Sequence, residues 1–186
     1  MSDMNRRGWG LGVALGLAAL GGGALLRSRS IPLAPLPVAD AASGGAPNPA
    51  LAPIPTPLTT LDGKTLTAAD IGGRFVVLNF WAPWCPPCVH EMPEIDRFAR
   101  SAAGKDTLVI GLAIDEKPAV EKFIAAHPVG FPIVVLGYPG LAWVRRLGND
   151  SQALPFSVSF DRSQAIAHRK PGPTTAAELS DWASHY

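Results

Sequence analysis

The chain has 186 residues, a formal net charge of +1 and a hydrophobic fraction of 47%. That length suits one packed domain with extra segments, and so small a charge argues against a nucleic-acid binder, which needs a clustered basic surface. Two cysteines in the whole chain exclude a disulfide-rich framework.

Residues 1–30 form the first region. Arg6 and Arg7 precede a charge-free stretch from Gly8 to Leu26, and Arg27 and Arg29 follow it. This has the layout of a signal-type segment. As a helix it would span about 28 Å, close to the hydrocarbon thickness of a bilayer. The expectation is an uncleaved anchor over residues 8–26, with a cleaved signal as the alternative. Two arginines flank each side and do not orient the anchor; because a signal-like start usually precedes export, the rest of the chain is expected on the periplasmic or extracytoplasmic face of the inner membrane, with a cytoplasmic domain holding reduced thiols as the alternative. Residues 31–57 hold eight prolines and one charge, Asp40. They cannot build a core and read as a semi-extended tether reaching at most about 80 Å.

The third region, 58–186, reads as the domain. Leu58–Leu61 and Lys64–Thr67 flank Asp62-Gly63, a two-residue hairpin signal. Phe75–Trp81 (FVVLNFW) and Thr107–Asp115 (TLVIGLAID) are apolar enough for strands buried on both faces. A helix is expected from Cys85 to Ala103 and another from Pro118 to Ala126, then a strand over Phe131–Leu136 and a short helix over Leu141–Leu147. Phe156–Phe160 and Ala165–Arg169 read as a strand pair around a turn at Asp161–Ser163. Thr175, with Glu178 three residues on, caps a last helix. Strands alternating with helices predict an α/β fold with a central mixed sheet flanked by helices and an N-terminal hairpin extension.

The chemistry concentrates in WAPWCPPCVHEMP, residues 81–93. Structural zinc wants four ligands, usually from two such cysteine pairs. Here there is one pair, and His127, His168 and His185 are scattered. A staple closing so short a loop removes little unfolded-state entropy. Redox or single-metal chemistry remains. Cys85 falls where a buried strand gives way to a helix, and a helix N-terminus favours a thiolate. Cys85 is therefore expected to attack a disulfide, and Cys88, one turn in, to resolve the mixed disulfide. Pro86 and Pro87 lack backbone N–H groups, so a Cys85 sulfur at the helix cap keeps only the Cys88 N–H as donor. A thiolate stabilised so little belongs to a reductant.

This stretch resembles the thioredoxin superfamily: Trp84-Cys85-Pro86-Pro87-Cys88 follows an apolar strand, and Pro93 lies five residues past the second cysteine. Asn79-Phe80-Trp81-Ala82, Trp84-Cys85, Pro87-Cys88 and Glu91-Met92-Pro93 resemble, more narrowly, the TlpA/ResA-like branch of membrane-anchored thiol–disulfide oxidoreductases. The resemblance implies a thioredoxin-like fold and a redox-active Cys85–Cys88 disulfide with no other cofactor. It also implies a cis-proline at Pro155, with the Leu154 backbone pairing with an extended substrate; an ordinary trans proline is the alternative. Trp84, Pro86, Pro87, Leu154 and Pro155 make up the expected substrate-binding set, with Trp84 shielding the sulfurs and Trp81 in the core. Thioredoxin carries a buried acid where this chain has Asn79. Glu91, on the Cys88 face of the helix, is the replacement expected to deprotonate Cys88; a solvated Glu91 paired with Arg97 is the alternative.

The expected activity is reduction of disulfides in exported proteins, as in cytochrome c or copper-site assembly, with electrons from a transmembrane thiol carrier. Two rivals stand beside it, and a pure oxidant or an isomerase stays open as a third reading. A copper-assembly factor would use Cys85, Cys88, Met92 and His90 as soft ligands for Cu(I). A thiol peroxidase would want a T-x-x-C, and none is present.

Overall fold

The computed structural model describes residues 54–186. The expected anchor, and the expected tether up to residue 53, lie outside them. Among the described residues no helix is long and apolar enough to cross a membrane.

Five strands form one sheet: β3 (Phe75–Trp81), β4 (Thr107–Ala113), β5 (Ile133–Val135), β6 (Phe156–Phe160) and β7 (Ile166–Pro171), in the order β5-β4-β3-β6-β7. β3 pairs parallel to β4, and β4 parallel to β5. β6 and β7 complete the sheet antiparallel. Every residue of β3, β4 and β6 is buried, as expected of strands covered on both sides. The helices are α1 (Ala68–Ile71), α2 (Pro86–Ala99), α3 (Ala102–Lys105), α4 (Lys117–Ala126), α5 (Leu141–Arg146) and α6 (Ala176–Ser184). The side chains of α2, α4 and α6 pack with Val77, Trp81 and Val109 on one face of the sheet. Those of α1 and α5 pack with Leu78, Phe80, Ile110 and Val158 on the other. The predicted mixed sheet with flanking helices is therefore present.

A small antiparallel hairpin, β1 (Leu58–Thr59) and β2 (Thr65–Leu66), precedes this sheet. Its turn is longer than the two residues that Asp62-Gly63 suggested. Thr60 N–H donates to Lys64 O at 2.8 Å, leaving three loop residues, and Gly63 takes the left-handed φ of 82° that the last of them requires. The hairpin docks on the edge of β5, where Leu61 N–H donates to Ile133 O and Thr60 bridges Val134. Ile54, four residues ahead of Leu58, is buried in the same core.

The helix expected to reach Ala103 stops at Ala99. Ser101 ends it: its Oγ donates to Phe98 O at 2.7 Å and accepts from Gly104 N–H at 3.1 Å, opening α3. Gly104 is needed there, because a Cβ would lie 2.0 Å from Phe98 O. β5 is shorter than the Phe131–Leu136 run, although Phe131 is buried. α1 had no apolar period to announce it; a Thr67–Asp70 capping box holds its four residues.

Candidate active site

β3 delivers the chain to the C-terminal edge of the sheet, and α2 leaves from there with Cys85 as its N-cap. Cys85 and Cys88 form a disulfide, their Cα atoms 5.3 Å apart. Both are buried, at 4% and 0% exposure. Cys88 N–H donates to Cys85 Sγ at 3.3 Å. Pro86 and Pro87 occupy the first two helical positions and are exposed. They supply no N–H, so the sulfur takes this single backbone donor from the first turn.

Trp84 does not close over the sulfurs as expected. It is 55% exposed, the most exposed large apolar side chain of the described residues. Trp81 is fully buried, its ring centroid 5.2 Å from that of Phe123. The Leu154–Pro155 peptide is cis, Pro155 is buried, and Leu154 packs against the apolar cluster that holds both cysteines. The structure thus brings Cys85, Cys88 and Leu154-Pro155 into one neighbourhood. Met92 is buried in that cluster, while His90 is exposed on α2. Among the described residues no group of three or more His, Cys, Asp or Glu is placed to hold a metal ion. A cavity of about 680 Å³ between the hairpin, the end of α4 and β5 includes neither cysteine.

Glu91 sits three residues after Cys88 and is 3% exposed. Arg97, the partner a solvated Glu91 would have needed, pairs with Glu94 instead. Glu91 Oε1 accepts from Asn79 Nδ2 at 2.7 Å, and Oε2 accepts from Thr174 N–H at 2.6 Å. Ser157 Oγ accepts from Asn79 Nδ2 at 3.1 Å and from Thr174 Oγ1 at 3.2 Å. Burial dominates the carboxyl's acidity, raising its pKa from the usual 4.5 to about 7. The hydrogen bonds from Asn79 and Thr174, and the more remote Lys170 charge, pull the other way.

Ser157 and Thr174 were not anticipated. The serines of β6 (FSVSF) alternate with large apolar residues, a pattern that reads as one wet face. Both faces of β6 are covered, so Ser157 and Ser159 are buried polar groups. Thr174 falls just before the Thr175 cap; its bond to Glu91 comes from the backbone N–H, to which sequence is blind, while its hydroxyl donates to Ser157 Oγ.

A buried disulfide capping a helix behind a central strand, beside a cis-proline and a buried carboxylate, defines a thiol–disulfide oxidoreductase of thioredoxin-like fold. The chain belongs to the Redoxin family, whose model matches residues 42–184. It is 29% identical over 126 residues to the thiol-disulfide oxidoreductase ResA of Bacillus cereus (strain ZK / E33L), covering 67% of this chain and 70% of that one. It is also 29% identical over 129 residues to the sporulation thiol-disulfide oxidoreductase A of Bacillus subtilis (strain 168), covering 67% and 75%. The crystal structure of StoA from Bacillus subtilis superposes with a TM-score of 0.59 at 26% identity, over 70% of this chain and 96% of that one.

Proposed function

We propose that this oxidoreductase works as a reductase of disulfides in exported proteins, on the extracytoplasmic side of a membrane. The reduced protein attacks first: the Cys85 thiolate displaces one sulfur of a client disulfide and forms a mixed disulfide with the other. Cys88 then loses its proton to the Glu91 carboxylate, and its thiolate attacks Cys85 Sγ. The client's second thiolate leaves and takes up the proton from Glu91. Two electrons have passed to the client, and the Cys85–Cys88 disulfide described above is the product.

The assignments rest on placement. Cys85 is the capping cysteine at the chain's exposed proline turn, so it meets the client; Cys88, fully buried, resolves. A carboxyl with a pKa of about 7 exchanges protons readily at neutral pH, which suits a general base for a thiol. Trp84, Pro86 and Pro87 offer an exposed apolar rim to the client, and the backbone at Leu154-Pro155 offers an extended edge. No cofactor beyond the disulfide enters these steps. A membrane thiol carrier would return the electrons, with residues 8–26 tethering the domain near it. Exported proteins with cysteine pairs awaiting haem or copper are the client class that the resemblance suggests.

The observation that carries the direction of electron flow is the single backbone donor at Cys85 Sγ. With little to stabilise a thiolate there, the reduced state is the less favoured one and the potential is low. The test is the reduction potential of the pair, by equilibration against a thiol redox buffer. The expected value lies near or below about −230 mV, and one near about −120 mV would make the protein an oxidant and refute the reading.

A further inference from the structure

On the face of the sheet that carries α2, one row of side chains crosses three strands in register. Asn79 of β3 stands opposite Ser157 of β6, and Ser157 opposite Lys170 of β7. The row continues onto α6, where Lys170 Nζ pairs with Glu178 Oε1. At its inner end Asn79 donates to Glu91. At its outer end Lys170 and Glu178 remain 28% and 41% exposed. The row therefore joins the buried carboxylate to the solvent boundary across about 10 Å, two strand spacings.

The start of α6 serves both ends. Thr174 N–H holds Glu91 Oε2 at 2.6 Å. The next residue, Thr175, donates its N–H and its hydroxyl to Glu178 Oε2 at 2.9 and 3.0 Å. Glu178 is thus fixed by the helix cap and fixes Lys170 in turn.

Few charges surround Glu91. β3 and β6 present neutral Asn79 and Ser157, and the turn before α6 presents Thr174. On α2, Glu94 is paired with Arg97 and accepts from Ala176 N–H, while His90 is exposed. On β7, His168 lies on the Lys170 side, stacked on Trp182, and burial holds its pKa below the usual value, so it stays neutral near pH 7. α6 adds Glu178, with Asp181 and His185 further along beside His168. Lys170 is the charge that acts on Glu91, favouring its ionised form against the cost of burial.

We propose that Lys170 is a positioning residue for the exchange reaction: held by Glu178 at the outer end of the row, it favours the charged form of Glu91 that receives the Cys88 proton. The pair sets the pH window of the enzyme from the surface, without touching sulfur or client. This rests on the reading of Glu91 as the proton acceptor.

The test follows the Glu91 carboxyl by carbon-13 NMR across pH in the oxidised full-length chain, where the disulfide does not titrate; Glu91→Gln assigns the signal. Lys170→Met, which keeps the aliphatic stem, should raise the Glu91 midpoint by about 0.5 pH units at low salt, the shift shrinking as salt is added. Lys170→Arg should restore the wild-type midpoint. Glu178→Gln, which keeps the capping box, should lower it by freeing the Lys170 charge. The pH profile of disulfide reduction should move in the same three ways. A midpoint unmoved by Lys170→Met, or moved the same way by Lys170→Met and Glu178→Gln as a packing defect would do, overturns the proposal. A midpoint that moves while the pH profile stays fixed leaves the charge coupling standing and refutes Glu91 as the acceptor.

Discussion

The two faces of β3 and β6 follow different rules. Toward α5 the two strands present Val76, Leu78, Phe80, Phe156, Val158 and Phe160, all apolar and all buried. Toward α2 and α6 the same strands present Phe75, Val77, Asn79, Trp81, Ser157 and Ser159, equally buried but half polar. A fold needing only stability would make both faces alike, since buried polar groups without full partners cost free energy. The polar face is the one that carries the cysteines. One face stabilises the domain, and the other gives up some of that stability to hold a buried carboxylate on the face that carries the cysteines.

The largest effect should come from breaking the apolar face. Phe80 is fully buried, edge-on to Trp143 and stacked on Phe156 at 5.4 and 5.9 Å between centroids. Phe80→Ala should cost about 3–5 kcal/mol by denaturant unfolding. Because Glu91 sits across the sheet, the pH profile of the protein that remains folded should not move. A shifted profile would mean the two faces are not independent.

The next effect belongs to Glu91 itself. Its pKa is raised on folding from 4.5 to about 7, so the folded state holds a proton that the unfolded state has lost between those values. The stabilisation is complete below pH 4.5 and is lost as pH rises through about 7. Unfolding of the oxidised protein at pH 5 and pH 8 should show a loss of about 2–3 kcal/mol assignable to this group. His168, whose pKa is lowered, works in the opposite sense over the lower part of that range. The comparison that isolates Glu91 is therefore Glu91→Gln, which should remove the decline. A wild-type curve parallel to that of Glu91→Gln would show that the carboxyl titrates normally.

This division between the faces was half legible in the sequence. The apolar runs placed β3 and β4 well, because strands buried on both sides leave uninterrupted hydrophobic stretches; the alternation of β6 (FSVSF) marked a strand but hid its second buried face. The cysteine pair, its prolines and the helix start were readable, since local chain geometry fixes a helix cap. The three-residue spacing put Glu91 on the Cys88 face of the helix, while its reading as the replacement acid came from the resemblance. The partners of Glu91 were not readable. Asn79 lies 12 residues before Glu91 and Thr174 lies 83 after it. Such contacts depend on how α6 returns to α2, which no local pattern encodes. Trp84 failed for the converse reason: its type suggested a cover, while it lies exposed beside the exposed Pro86 and Pro87.

Smaller effects should separate residues within the polar face. Asn79 Nδ2 serves both Glu91 and Ser157, so Asn79→Ala should cost about 1–3 kcal/mol. The cost should be greater at pH 8 than at pH 5, because the ionised carboxylate loses most. The activity profile should shift to higher pH, since an N–H that lowers the Glu91 pKa has been removed. An equal cost at both pH values would assign Asn79 a packing role alone.

Ser159 should give the smallest effect and the sharpest contrast. It is two residues from Ser157 on the same strand face and as deeply buried, yet its hydroxyl finds no partner among the described residues. His168, opposite it on β7, likewise leaves Nε2 unpaired. A buried hydroxyl that gives up water and gains nothing destabilises the fold. Ser159→Ala should therefore be neutral or stabilise by up to about 1 kcal/mol, with the pH profile unchanged. Ser157→Ala should instead lower stability and disturb Glu91, because that hydroxyl accepts from both Asn79 and Thr174. If the two substitutions behaved alike, the polar face would be a general tolerance for small residues beneath α2 and α6. If they differ as stated, its polarity is concentrated at the row of residues that reaches the carboxylate.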